Sequence, residues 1–181
     1  MKEQFNELYE KFHQEIFRFL VYMVKDKQHA EDLVQEVYIK VLDSYDRFRG
    51  QSSERTWIYS IARHVAIDWL RKQQRRKKRG FFQAEIDDEQ FIIKDDAPLP
   101  EELLTQSETM KAIYQALENC TVDQKTVVIL RYIQGLSISE TAQTLNWSES
   151  KVKTTQHRAI KRLKKLFDLN TEDWLRRGVN E

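Results

Sequence analysis

An all-α fold is predicted for this chain: two small helical domains joined by an acidic linker, the C-terminal one carrying a helix-turn-helix. Three observations predict it. Only 4 Gly and 2 Pro occur in 181 residues, too few chain-turning residues for a strand-rich fold, and Glu, Lys, Gln and Leu are abundant. Apolar residues recur at steps of three and four over long stretches, the spacing that lines one face of an α-helix. Two capping pairs, Thr121 with Gln124 and Ser137 with Glu140, stand where helices must begin.

Bulk properties narrow the function. A hydrophobic content of 40% suffices for real cores. The single cysteine, Cys120, excludes an internal disulfide, and four scattered His offer no zinc spacing. No apolar run approaches the roughly 18 residues of a membrane span, and the charged start MKEQFNELYEK lacks a signal-peptide core. A cytoplasmic protein without membrane insertion, metal or cofactor is therefore expected. Nor is an enzyme expected, since there is no Gly-rich phosphate loop, no HExxH and no Ser/His/Asp signature. The formal net charge of +1 hides strong segregation of charge along the chain.

The first helix is predicted from Phe5 to Met23, where Phe5, Leu8, Phe12, Ile16, Phe19, Leu20 and Met23 share a face. In the second, Ala30, Leu33, Val34, Val37, Tyr38, Val41, Leu42 and Tyr45 form one stripe. Glu31, Asp32, Gln35 and Glu36 back it near the N-terminus, where the helix dipole favours negative charge. On pattern alone, that cluster is a solvated face.

A polar loop follows, DRFRGQSSERT, with Gly50 to turn the chain and Ser52 or Ser53 to cap the next helix. Its Phe48 either folds back onto the core or walls a pocket for an unstacked base. The third helix places Trp57, Ile58, Ile61, Ala62, Val65, Trp69 and Leu70 inward and Arg55, Tyr59, Arg63, His64, Asp68 and Arg71 on other faces. It runs into RKQQRRKKR, seven of whose nine residues from Arg71 to Arg79 are basic, dense enough to bind a polyanion by counterion release.

Composition then inverts. Ala84 to Glu102 holds eight acidic residues and one Lys, with Pro98 and Pro100 near its end. It reads as an extended linker. The predicted division is a first domain over 1–80, a linker over 81–105, a second domain over 106–168 and a C-terminal tail over 169–181.

In the second domain, one helix carries Met110, Ile113, Tyr114 and Leu117, and another runs from the Thr121 cap through Ile133 to a stop at Gly135. Ser137 then opens a short helix with Ile138, Ala142 and Leu145 on one side. Asn146, which tolerates the left-handed conformation, ends it, and Ser148 caps the next helix. There Val152, Ala159, Leu163 and Leu166 face inward, while Lys151, Lys153, Thr154, His157, Arg158, Lys161, Arg162 and Lys165 mostly point away, opposed only by Glu149. A narrow apolar stripe backed by a basic, hydrogen-bonding face suits a helix lying in a major groove. In the tail, Trp174 and Leu175 are candidate packing residues.

With both halves in view, the chain resembles the sigma-70 type RNA polymerase sigma factors of the extracytoplasmic-function (ECF) group. EDLVQEVYIKVLDSY at Glu31–Tyr45 is similar to the group's core-binding helix in region two, and RTWIYSIARHVAIDWLRK at Arg55–Lys72 to its promoter-melting, −10-reading helix. VDQKTVVILRYIQGLSISETAQTLNWSESKVKTTQHRAIKRL at Val122–Leu163 resembles region four. Two motifs in the family's order are far more specific than either alone.

The resemblance implies a factor that directs core RNA polymerase to promoter DNA and initiates transcription. Glu31, Asp32, Gln35 and Glu36 would dock on the polymerase clamp helices. Phe48, Arg49, Gly50, Ser52, Arg55, Arg63, His64 and Arg71 would meet the −10 element, with the Phe48 loop capturing a flipped base. Ser148, Lys151, Lys153, Thr154, His157, Arg158 and Lys161 would meet the −35 element. The linker would run along polymerase channels that otherwise hold nucleic acid, where negative charge suits the surface. A cognate anti-sigma factor, often membrane-anchored in the family, is the further implied partner. The sequence departs from the family at Asn146, usually Gly, and at His64, often Asn. A free-standing helix-turn-helix regulator would explain Leu136–Leu166 but not the first 70 residues, and no dimerisation surface is evident.

Overall fold

The computed structural model describes residues 2–77 and 108–167, all of the assigned elements being helical. The N-terminal half is a three-helix bundle of α1 (Lys2–Val24), α2 (Lys27–Ser44) and α3 (Glu54–Lys77), each packed on the other two. Leu8, Phe12, Ile16, Phe19, Leu20 and Met23 of α1 are all buried, as their spacing predicts. Lys25, at φ 59, turns the chain out of α1. Asp26 then caps α2 by accepting from the His29 backbone N–H at 2.7 Å.

Between α2 and α3, a 3-10 turn (Tyr45–Arg47) leads to Gly50 in the left-handed region, φ 68. Of the two serines offered as the cap of α3, Ser53 does the capping, its Oγ accepting from the Thr56 N–H at 3.1 Å. Two expected placements differ. Leu42 is 48% exposed, because it lies one residue, about 100° of helix rotation, beyond Val41, the last residue of the α2 stripe in the core. Tyr59, expected on an outer face of α3, is 0% exposed, because α3 is covered on that side by the C-terminal half.

That half comprises α4 (Glu108–Leu117), α5 (Val122–Val128), α6 (Ile138–Leu145) and α7 (Glu149–Phe167). Thr121 and Gln124 form the reciprocal capping box that starts α5. The helix expected to reach Ile133 as a regular α-helix does so with a widened final turn over Ile129–Ile133, in which the Gln134 N–H donates to Ile129 O at 2.9 Å, five residues back. Gly135, at φ 70, closes it.

Ser137 and Glu140 form the second capping box, at 3.1 and 2.7 Å. Asn146 adopts the left-handed conformation at φ 53, and the Trp147 N–H returns to Ala142 O at 2.9 Å. Ser148 accepts from the Lys151 N–H at 3.2 Å to start α7. Buried Val152, Ala159 and Leu163 seat α7, whereas Leu166, expected inward, is 50% exposed near the end of the described helix, where the packing partners run out. The linker 81–105 and the tail with Trp174 and Leu175 lie outside the described residues.

The Ser137 box predicts a pH-dependent stability. Hydrogen bonds from the Ser137 backbone, then its hydroxyl, hold the Glu140 carboxyl below the usual carboxylate range. A lowered folded pKa means that this stabilisation is full above the ordinary carboxylate pKa and is lost as pH falls through the lowered value. Ser137→Ala is expected to cost about 1 kcal/mol at neutral pH, with the difference from wild type shrinking in acid. Urea unfolding followed by circular dichroism at both pH values measures it.

Candidate nucleic-acid interface

On α7 the basic face is open. Ser148, Lys151, Lys153, Thr154, His157, Arg158 and Lys161 are all exposed, opposite buried Val152 and Ala159. Lys153 has an exposed partner, Glu149, at 3.8 Å, a pair that water and salt weaken enough for a phosphate to displace it. Ser148, Lys151, Thr154 and Arg158 border a shallow depression shared with Thr121 and Gln124 at the start of α5. Two contributors escaped the sequence reading. Trp147 lies under the Lys151 ammonium at 4.0 Å, a cation–π contact that orients the amine. Arg131 donates to Gln156 of α7 at 3.0 Å and to Leu136 O, tying the widened turn to α7. Neither contact has a period that sequence could reveal.

On α2, Glu31, Asp32, Gln35 and Glu36 are exposed together. Glu36 pairs with Lys40 at 3.7 Å. Ile39, 59% exposed, stands three residues after Glu36, four after Gln35 and seven after Asp32, so it shares their face. Glu31 and Gln35 also edge a groove lined on the α1 side by Tyr9, His13 and Phe17.

The loop and α3 divide into two sets. Phe48 stacks on Trp57, with ring centroids 4.6 Å apart and planes at 25°, and stays partly exposed. Phe48 thus folds back onto the α3 side of the loop while remaining partly exposed. Arg49, Gly50 and His64 are exposed, and Ser52 is half-buried. The His64 Nδ1–H donates to Ser60 O at 2.6 Å, which leaves Nε2 as an acceptor in the neutral ring. Arg71 pairs with Asp68 at 3.6 Å.

Arg55 and Arg63 are engaged differently. Arg55 donates Nε to Glu15 at 2.9 Å and Nη2 to Gln134 O at 2.6 Å. Arg63 pairs with Asp123 at 3.6 Å, both side chains nearly buried. The structure therefore leaves Phe48, Arg49, Gly50 and His64 accessible and holds Arg55 and Arg63 against the C-terminal half. Among the described residues no group of three His, Cys, Asp or Glu could hold a metal ion, and none of the described helices is long and apolar enough to cross a membrane. Burial pushes the Cys120 thiol up to about 11, so it is unreactive at neutral pH.

Comparison with known proteins gives the same two halves. Residues 8–76 match the family described as Sigma-70 region 2, and residues 110–163 match Sigma-70, region 4. The chain is 55% identical over 175 residues to the ECF RNA polymerase sigma factor SigX of Bacillus subtilis (strain 168), covering 96% of this chain and 88% of that one. It is 35% identical to the RNA polymerase sigma factor YlaC of the same organism, covering 95% and 96%. Among solved structures, the sigma factor RpoE in complex with the anti-sigma factor NepR from Bartonella quintana shares the fold, with a TM-score of 0.73 at 23% identity over 93% of this chain and 99% of that one. A second, CnrH in complex with the cytosolic domain of CnrY, gives 0.66 at 17% identity, covering 93% and 90%.

Proposed function

We infer the role of this chain from the family to which it belongs, the extracytoplasmic-function RNA polymerase sigma factors: it directs core RNA polymerase to specific promoters and initiates transcription there. The observation that carries this reading is the 55% identity over 96% of the chain to one such factor, with the two regional matches in order on the two helical halves. Partners of this chain are core polymerase and promoter DNA. It supplies recognition and strand capture, and the chemistry of RNA synthesis belongs to the core enzyme.

At residue level, Glu31, Asp32, Gln35 and Glu36 dock on the polymerase, with Ile39 as an apolar contact in their midst; their shared exposure on α2 supports this. Lys151, Lys153, Thr154, His157, Arg158 and Lys161, with Ser148 at the helix start, meet the −35 element, some at base edges and others at phosphates. Phe48, Arg49, Gly50 and Ser52, followed by Arg55, Arg63, His64 and Arg71, meet the −10 element, where the free Nε2 of His64 accepts at a base edge. Domains over 1–80 and 106–168, joined by the linker 81–105, divide these tasks. Regulation is by an anti-sigma factor; similarly folded sigma factors have been solved in complex with anti-sigma factors. The chain works in the cytoplasm.

The test is reconstituted transcription. Alone, the protein should bind promoter DNA weakly and with strong salt dependence, since two small modules offer few base contacts. Core enzyme plus this protein should initiate at defined start sites, mapped by sequencing the transcripts. A tight footprint by the isolated protein at physiological salt, with repression instead of initiation, would replace this reading with that of a free regulator.

A further inference from the structure

The geometry points to Arg131 and Gln156 as positioning residues for promoter reading: the hydrogen bond between them fixes the rotation of α7 on its scaffold, and so decides how sharply the −35 bases are discriminated. This rests on the assignment of α7 to the −35 element.

Gln156 is out of character with its place on the helix. It follows Val152 by four residues, about 40° round the axis, so it lies on the side that Val152, Ala159 and Leu163 bury. A half-buried amide there needs a partner, because a polar group withdrawn from water costs free energy unless it is hydrogen-bonded. Arg131 supplies one, its Nε donating to Gln156 Oε1 at 3.0 Å. The Tyr132 side chain also hydrogen-bonds Gln156. Neighbouring residues stand about 100° apart on a regular α-helix; the widened turn over Ile129–Ile133 holds more residues per revolution and brings these two closer in angle, onto one partner. The Arg131 guanidinium donates through Nη1 to Leu136 O as well, just before the Ser137 cap. One side chain thus joins the end of α5, the entry to α6 and the middle of α7.

Attachment and aim are separate tasks. Buried Val152, Ala159 and Leu163 attach α7, but apolar contact is non-directional and tolerates small rotations. A planar guanidinium accepts partners only along fixed directions, so the Arg131–Gln156 bond sets the angle. Thr154, His157 and Arg158 stand within two residues of Gln156 and are exposed; their direction follows from that angle. Hydrogen bonds to base edges need placement within about half an ångström. Loosening the bond should therefore blunt discrimination before it detaches the helix, and neither Arg131 nor Gln156 has to touch DNA for that.

The experiment transcribes a library of −35 sequences with core enzyme and the full chain, beside thermal unfolding by circular dichroism. Wild type should discriminate against a single wrong base pair by about tenfold. Gln156→Leu keeps the side-chain volume and extends the apolar stripe, so its unfolding midpoint should stay near wild type while discrimination falls to about two- to threefold at several base pairs together. Gln156→Glu, which still accepts from Arg131, should retain the wild-type ratio even if overall output drops, because a uniform loss cancels in a ratio. Arg131→Ala should relax discrimination like Gln156→Leu but at a lower midpoint, since Leu136 O also loses its donor; if it does not fold, Gln156→Leu decides alone. Wild-type discrimination in Gln156→Leu overturns the proposal. So does a loss confined to one base pair, which would make Gln156 a base-reading residue, or a Gln156→Glu variant no better than Gln156→Leu. The wild-type arm keeps the ideas apart: no initiation removes the sigma-factor reading, initiation indifferent to the −35 bases removes the assignment of α7, and sharp discrimination shared by wild type and Gln156→Leu removes only the positioning role.

Discussion

Asp32→Lys combined with Glu36→Lys is expected to weaken binding to core polymerase by about a hundredfold or more, since like charges brought together across an interface cost several kcal/mol. Both side chains are exposed and off the buried stripe of α2, so the fold should survive. Losing the exposed Glu36–Lys40 pair at 3.7 Å removes about 0.3–0.5 kcal/mol, and placing cations in the first turns of a helix costs a similar few tenths. Helical circular dichroism should therefore match wild type, with an unfolding midpoint only slightly lower. A pull-down with core enzyme separates docking from folding. Ile39→Ala should give a smaller loss on the same surface, as one apolar side chain leaves the centre of the patch. Unchanged core affinity in the charge-reversed protein would mean that the acidic side of α2 is a solvated helix face and that the polymerase docks elsewhere.

Phe48→Ala is expected to reduce open-complex formation by about tenfold or more on every promoter, because stacking contributes about 1–3 kcal/mol per captured base. Trp57, the ring against which Phe48 stacks at 4.6 Å, is half-buried in α3 and remains. The loss therefore comes from one wall of the proposed base pocket, and α3 itself stays in place. Transcription from a library of −10 sequences gives the size of the defect and its independence of sequence. A premelted template should rescue part of the loss, since the energy of unpairing no longer has to come from the protein. Equal activity of the variant on duplex templates would return Phe48 to the role of a loop aromatic covering Trp57.

How far local sequence carried the structure can be seen at single residues. Asn146 was readable as a left-handed helix terminator, and the two capping boxes located the starts of α5 and α6, because each signal is complete within a few consecutive residues. The basic face of α7 was readable for the same reason: a helix alone sorts its residues by angle, and Val152, Ala159 and Leu163 found the core while their neighbours stayed out. Stripe edges were harder. Leu42 and Leu166 fit the period yet lie where a partner surface ends, and period says nothing about the extent of the partner. Ile39 was missed on the opposite ground, an apolar residue outside any stripe that gains meaning from the polar residues around it.

Sequence by itself determined the helices, their caps, the basic and acidic faces and, through two motifs in order, the family. All of these depend on spacing along one helix or on a motif read as a string. Only the tertiary structure decided that α3 has two buried sides, that Tyr59 lies wholly inside, and that Arg55 and Arg63 are held by Gln134 and Asp123. The physical reason is distance along the chain. Arg55 and Gln134 are 79 residues apart, across the linker, and an arginine destined for a buried carbonyl has the same side chain as one destined for solvent. Burial of polar groups is set by the partner that satisfies them, and for these arginines that partner belongs to the other half of the molecule.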